Sequence, residues 1–315
     1  MKILITGATG FVGSHLADYL IDDKHLEVHG IRRPRSLSEF TRPDVIYHEA
    51  DITDLPSLYN LLGILNPDII FHLAAQSFVP LSWQAPVSTF ETNAIGTMNV
   101  LEAVRTACPS TVIHVAGSSE EYGMLLPSDC PIKESQPLNP LSPYGVSKVT
   151  ADLLAQQYHR SYGLRTVITR AFNHTGPRRG EQFVTSKIAK KCALIFLGKA
   201  EPVLSLGNLD AVRDFTDVRD MVRAYWLATE MNPFGIPLNI GSGIGHTILE
   251  VADTLTAIMG LAVTIEQDPQ FMRPSDVPYL IADSTDFRIL TKWKPEIPFE
   301  QTMRDLFDYW MERLK

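Results

Sequence analysis

The sequence predicts an α/β fold: a doubly wound parallel sheet followed by a smaller C-terminal substrate domain. Three observations carry this. Short apolar runs alternate with longer amphipathic stretches through the first 170 residues, the first run ends in a glycine-rich turn that opens a helical pattern, and after Arg170 the texture changes to longer loops rich in Gly, Pro and Asn. Strands alternating with helical patterns imply parallel neighbours joined by crossovers, with helices on both faces of the sheet.

In chain order, the strand-like runs fall at residues 3–5, 28–31, 45–47, 69–73, 112–115 and 167–169. Helical patterns separate them near 11–21, 55–65, 87–107 and 144–162. Residues 1–170 therefore read as the sheet domain and 171–315 as the substrate domain, with helices expected near 219–229, 248–259 and 300–313. The run 238–240 is expected to return to the main sheet. In open sheets of this kind ligands sit at the carboxyl ends of the strands, so motifs that end a strand carry the functional weight.

Composition narrows the classes of function. The 315 residues hold 28 Lys+Arg against 36 Asp+Glu, a net charge of −8, which argues against a general binder of nucleic acid or membrane surfaces. No apolar run approaches the roughly 20 residues needed to cross a bilayer, and the N-terminus enters a strand pattern with no export signal, so a cytoplasmic protein is expected. Cys108, Cys130 and Cys192 are too widely spaced for a disulfide framework or a metal knuckle. The nine histidines include no HExxH, and no GxSxG elbow occurs, so no metal site and no serine hydrolase is expected.

Thr6-Gly7-Ala8-Thr9-Gly10-Phe11-Val12-Gly13 ends the first strand and opens the first helix. Glycines there allow a tight turn and let backbone N–H groups approach a pyrophosphate, so a dinucleotide site is the reading and a plain strand-to-helix turn the alternative. About 20 residues on, where a carboxylate would bond the ribose 2′-hydroxyl of NAD, the chain carries Arg32, Arg33 and Arg35. Arginines there favour NADP(H) over NAD(H); the alternative is a solvated basic turn, with Glu27 and Asp51 as nearby acids.

Tyr144 and Lys148 stand at i and i+4, on one face of a helix. A cation beside a phenol favours phenolate, so Lys148 is expected to lower the Tyr144 pKa toward neutrality and suit it to proton exchange with a hydroxyl or carbonyl. Ser118 ends a strand of buried type and can donate to the same oxygen. A surface pair is the alternative for Tyr144 and Lys148 taken alone.

Together these residues, with Asp51-Ile52, His72-Leu73-Ala74-Ala75 and Asn93, resemble the extended short-chain dehydrogenase/reductase family of nucleotide-sugar enzymes. The resemblance runs essentially end to end. It implies a Rossmann domain with Ser118, Tyr144 and Lys148 as catalytic residues, Asp51 and Ile52 at the adenine, Leu73, Ala74 and Ala75 along the cofactor, Asn93 as a further cofactor residue, and a homodimer. Residues 173–180 (Asn-His-Thr-Gly-Pro-Arg-Arg-Gly), 207–220 and 273–276 are similar to the GDP-mannose branch. That similarity implies Ser119, Asn173, Val184, Lys187, Arg213 and Arg273 at a GDP-sugar, and Asp276 at its ribose. Guanidinium forks suit diphosphates, while a structural ion pair is the alternative for each arginine. Arg178 and Arg179 could equally form a subunit contact.

Two reactions compete. The runs 117–123 and 207–220 resemble reductases that use NADPH to reduce the C4 ketone of GDP-4-keto-6-deoxy-D-mannose, and this is the first expectation. The alternative is GDP-mannose 4,6-dehydratase, whose strand end reads Thr-x-Glu with the glutamate removing the C5 proton; here Ser118 replaces the threonine and Glu120 is the base candidate. A non-catalytic module that senses NADP(H) is a third reading, disfavoured by the intact Ser118, Tyr144 and Lys148.

Overall fold

The computed structural model describes residues 1–33, 40–271 and 277–315. Its first half contains β1 (Lys2–Thr6), α1 (Phe11–Asp18), β2 (Glu27–Arg32), β3 (Ile46–Glu49), α2 (Leu55–Leu65), β4 (Ile69–His72), α3 (Val79–Gln84), α4 (Pro86–Phe90), α5 (Gly96–Ala107), β5 (Val112–Ala116), α6 (Pro143–Tyr162) and β6 (Arg165–Ala171). The second half holds β7 (His174–Thr175), α7 (Val184–Phe196), β8 (Val203–Leu206), β9 (Val212–Asp214), β10 (Thr216–Asp217), α8 (Val218–Met231), β11 (Pro237–Ile240), β12 (Gly245–Thr247), α9 (Ile248–Met259), β13 (Thr264–Gln267), β14 (Tyr279–Leu280), α10 (Thr285–Thr291) and α11 (Phe299–Leu314).

Seven strands form one parallel sheet in the order β11-β6-β5-β4-β1-β2-β3. Side chains alternate across it, as a pleated strand requires. Ile3 and Ile5 face α1 and α8 in one apolar layer, while Leu4 and Ile70 face α2, α5 and α6 in the other. The doubly wound expectation is borne out, including the return of 238–240, which pairs with β6 as β11. A third apolar cluster joins α7, α9 and α11 with β8 in the second half of the chain.

The helix expected over 87–107 is divided. A wide turn at Glu91–Ile95 separates α4 from α5. Within it the Asn93 carboxamide donates to the Gln76 carbonyl oxygen (2.9 Å) and the Ser147 hydroxyl (3.0 Å), and accepts from the Gln76 N–H (2.8 Å). Such wide turns recur where a side chain must be placed against the regular helical period.

Candidate active site

Strand order reverses at β1 and β4, and a cleft of about 1370 Å³ opens at their carboxyl ends. It exceeds the roughly 300–1,000 Å³ of a single small-molecule site, so it has room for two ligands end to end. The crevice is braced from below. His72 is buried between the Thr6 and Thr97 hydroxyls (2.9 and 3.0 Å), and the N–H groups of Leu73 and Ala74 donate to the Thr6 oxygen (3.1 and 3.0 Å). Burial pushes the His72 pKa down to about 3, so the ring is a neutral packing element.

The glycine turn fits a dinucleotide on geometric grounds. Gly7 has φ +71°, a left-handed conformation that glycine alone adopts freely. A Cβ at Gly13 would meet the Gly7 carbonyl oxygen at 2.2 Å, so α1 lies too close to the turn for a larger residue. No side-chain oxygen caps α1 at Gly10, and Gly10, Phe11, Val12 and Gly13 all line the cleft with Gly7 and Thr9. The Gly10 N–H closes the turn on the Gly7 carbonyl oxygen (3.0 Å), and the N–H groups of Phe11, Val12 and Gly13 in the first turn of α1 form a ready seat for phosphate.

Farther round the same wall stand Arg32, Arg33, Asp51 and Ile52, then Leu73, Ala74 and Ala75. Arg32 donates to Glu49 at 3.2 Å across adjacent strands. Asp51 accepts from the Thr53 N–H and hydroxyl (2.9 and 2.8 Å), and the Ile52 carbonyl accepts from Asn99 (3.0 Å), so both are held rigidly. Arg35 lies outside the described residues. Asn93 does not line the cleft; its amide ties the Gln76 loop to α6.

The candidate reacting groups line the same cleft. Ser118, Ser119 and Glu120 follow β5, and Tyr144 and Lys148 rise from the first turns of α6, whose start is fixed by Ser142 accepting from the Gly145 N–H (3.0 Å). Ser118 and Tyr144 share a hydrogen bond. The expected depression of the Tyr144 pKa is not found. Burial pushes the phenol well above its ordinary range, Ser118 draws it partly back, and the charges of Glu120 and Glu121 push it up again. Lys148 sits 6.0 Å from the phenol ring centroid and donates instead to the Ala116 carbonyl oxygen at 2.7 Å. Burial lowers Lys148 itself to about 8, against the pull of Glu121.

Asn173, Val184, Lys187 and Arg213 also line the cleft. The Asn173 side-chain oxygen is buried with no hydrogen-bond partner, which leaves it for a ligand donor. Lys187 Nζ lies 3.5 Å over the Phe271 ring, and buried Arg213 donates to the Val212 carbonyl at 2.9 Å. Arg273 and Asp276 lie outside the described residues. The structure separates the arginine pair: Arg178 bonds Asp18 of α1 at 2.6 Å, whereas Arg179 enters the cleft, 3.5 Å from the Phe183 ring centroid, and desolvation there lowers it to about 10. His174 also lines the cleft, stacked on Phe11 with ring centroids 6.1 Å apart. Both arginines belong to the run 173–180 that resembles the diphosphate-facing segment of the GDP-mannose branch; Arg178 takes the ion-pair alternative and Arg179 does not. No group of three metal-ligating side chains and no disulfide occurs among the described residues.

A phenol and a serine hydroxyl at the mouth of a nucleotide-type sheet, with cations farther along the same cleft, define the class: an NAD(P)-dependent enzyme acting on nucleotide sugars. The chain belongs to the family whose model is described as GDP-mannose 4,6 dehydratase, which matches residues 4–306. A GDP-mannose 4,6-dehydratase of Vibrio cholerae serotype O1 is 33% identical, the alignment covering 96% of this chain and 91% of that protein. Among solved structures, RMD from Pseudomonas aeruginosa complexed with NADPH has a TM-score of 0.85 and 30% identity, covering 99% of each chain. The UDP-glucose 4-epimerase of Thermus thermophilus, in complex with NAD, has a TM-score of 0.86 and 28% identity, covering 98% of this chain and 99% of that one. The extended short-chain dehydrogenase/reductase resemblance is thus borne out, and of the two expected reactions the dehydratase has the better support.

Proposed function

We propose that this chain is a GDP-mannose 4,6-dehydratase that uses NADP. One observation carries the choice of reaction: half-buried Glu120 lines the same cleft as Tyr144 and its charge acts on that phenol. Elimination of water across C5 and C6 of a hexose needs a carboxylate base in addition to the phenol; reduction of a ketone does not. Family membership supports the same reading.

Bound NADP would supply a hydride acceptor at C4 and a hydride donor at C6. The chain's residues handle the protons. Tyr144, ionised beside the Lys148 ammonium, takes the proton of the C4 hydroxyl and gives it to C5 as hydride returns to C6, and Ser118 donates to the C4 oxygen as it becomes a carbonyl. Glu120 removes the C5 proton and returns it to the departing C6 hydroxyl, which leaves as water. Lys148 holds the ribose beside Tyr144. Arg179, Lys187 and Arg213 supply positive charge for the diphosphates, with Arg273 and Asp276 as further substrate residues, and Asn173 bonds the sugar nucleotide. Arg32 and Arg33, with Arg35, favour a 2′-phosphate. The exposed Val87, Ile95 and Leu153 on the α4–α6 side suit the expected homodimer.

A second reading, reduction of the 4-keto sugar by NADPH, is favoured by Ser118 at the strand end in place of threonine. Two assays separate them. GDP-mannose with enzyme should yield the 4-keto-6-deoxy sugar with no net change in nicotinamide absorbance. Inertness toward GDP-mannose, with stoichiometric NADPH consumption on the keto sugar, would instead establish the reductase.

A further inference from the structure

Directly behind the reacting groups lies a fully buried carboxylate that the mechanism above does not use. Glu121 Oε1 accepts from the Ser118 N–H at 2.6 Å, and it packs so tightly under Gly117 that a Cβ there would stand 2.6 Å from it. Its Oε2 makes no hydrogen bond and faces Arg170 Nε at 3.4 Å. Arg170 in turn donates to buried Asp152 (2.9 Å), the Tyr122 hydroxyl (3.1 Å) and the Glu134 carbonyl oxygen (3.3 Å). On the opposite side of the same turn, Ser118 Oγ accepts from the Glu120 N–H at 3.2 Å. A hydroxyl that accepts there keeps its own proton for donation.

We propose that Glu121 is a positioning residue for the reaction: clamped between Arg170 and the Ser118 amide, it fixes Ser118 as a donor toward the sugar C4 oxygen. Glu121 Oε1 on the Ser118 N–H and Ser118 Oγ on the Glu120 N–H close a capping box over this turn, so the carboxylate holds the Ser118 backbone while Arg170 holds the carboxylate. The charged and titratable groups around it are Glu120 and Tyr122 on its own turn, Tyr144, Lys148 and Asp152 on α6, Arg170 on β6, and Glu134 beside Arg170. Burial, with the neighbouring Asp152, pushes the Glu121 pKa up to about 8 against the pull of Arg170.

The test is Glu121→Gln, an isosteric change that removes the carboxylate from the Arg170 clamp, read beside Asp152→Asn, which removes the other buried carboxylate of Arg170 without touching Ser118. E121Q should lower kcat by about 10- to 100-fold with KM nearly unchanged, since misplacing a reacting group costs rate rather than binding. D152N should leave kcat near native. In a Ser118→Ala background E121Q should cost nothing further, because residues acting through one another are non-additive.

Cooperatively melting E121Q with native kcat overturns the inference. So does D152N matching E121Q, an independent loss in the S118A background, or an E121Q chain that fails to fold, which would make the carboxylate a folding residue. The inference rests on the proposed role of Ser118. A native chain inactive on both sugars defeats both proposals, whereas an active native chain indifferent to E121Q defeats this one alone.

Discussion

Lys148 donates to the main-chain oxygen of Ala116 at 2.7 Å, tying the catalytic helix α6 to the carboxyl end of β5. This bond holds the ammonium in a buried position where it titrates near 8. The charged form is the one that can bond ribose hydroxyls and favour phenolate, and it is lost as pH rises through that value. Dinucleotide affinity, followed by fluorescence titration, should therefore weaken between pH 7 and pH 9. Lys148→Met should bind weakly and show no such step, and a flat native profile would count against the assigned role.

Glu120→Gln separates the two candidate reactions within one protein. Loss of a general base costs about 10²- to 10⁴-fold in rate, so formation of the 4-keto-6-deoxy sugar should fall by that factor. Exchange of the C5 hydrogen with solvent deuterium, followed by mass spectrometry, should disappear with it. A variant that dehydrates at the native rate would remove Glu120 from the mechanism.

Gly13→Ala introduces a methyl group 2.2 Å from the Gly7 carbonyl oxygen, a backbone atom that cannot swing aside. The turn must open to accept it. We expect a loss of about 1–3 kcal/mol in unfolding free energy, typical of overpacking, and at least a tenfold loss of dinucleotide affinity. Urea unfolding and a binding titration report the two effects separately.

Acid should unfold the protein through its buried histidines. His72 and His114 are held neutral, each with its pKa pushed down to about 3 by burial, against an ordinary value of 6.5. Between those values the unfolded chain binds more protons than the folded one, so stability is intact above pH 6.5 and lost as pH falls below it. The slope is on the order of 1.4 kcal/mol per pH unit for each histidine. Urea midpoints measured at pH 7 and pH 5 should differ accordingly, and His114→Gln should reduce the difference.

Periodicity made the sheet legible, because each strand run is apolar and each crossover amphipathic. Local motifs likewise located the cleft: Gly7 to Gly13, Ser118, Tyr144 and Lys148 all face it. What escaped were effects set by tertiary distance. Asn93 sits in a recognisable motif, yet only the fold shows its amide spent on Gln76 and Ser147. The sign of the Tyr144 shift depends on burial and on Glu120 and Glu121, neither visible in the i, i+4 spacing. Arg178 and Arg179 are adjacent in sequence, and a left-handed residue at Arg178, φ +69°, sends them to different partners.

The placement of α8 and β11 bears on how the protein can be handled. Both come after the first substrate-side segments, yet α8 roofs one face of the sheet and β11 completes its edge. The chain thus passes back and forth between the two lobes, and no single cut separates them. A fragment ending at residue 170 would leave the apolar face over Ile3, Ile5 and Phe71 without Met221, Val222 and Tyr225. The nucleotide half is therefore not a detachable cassette: the two lobes are woven together, and must be expressed, swapped or truncated as one piece.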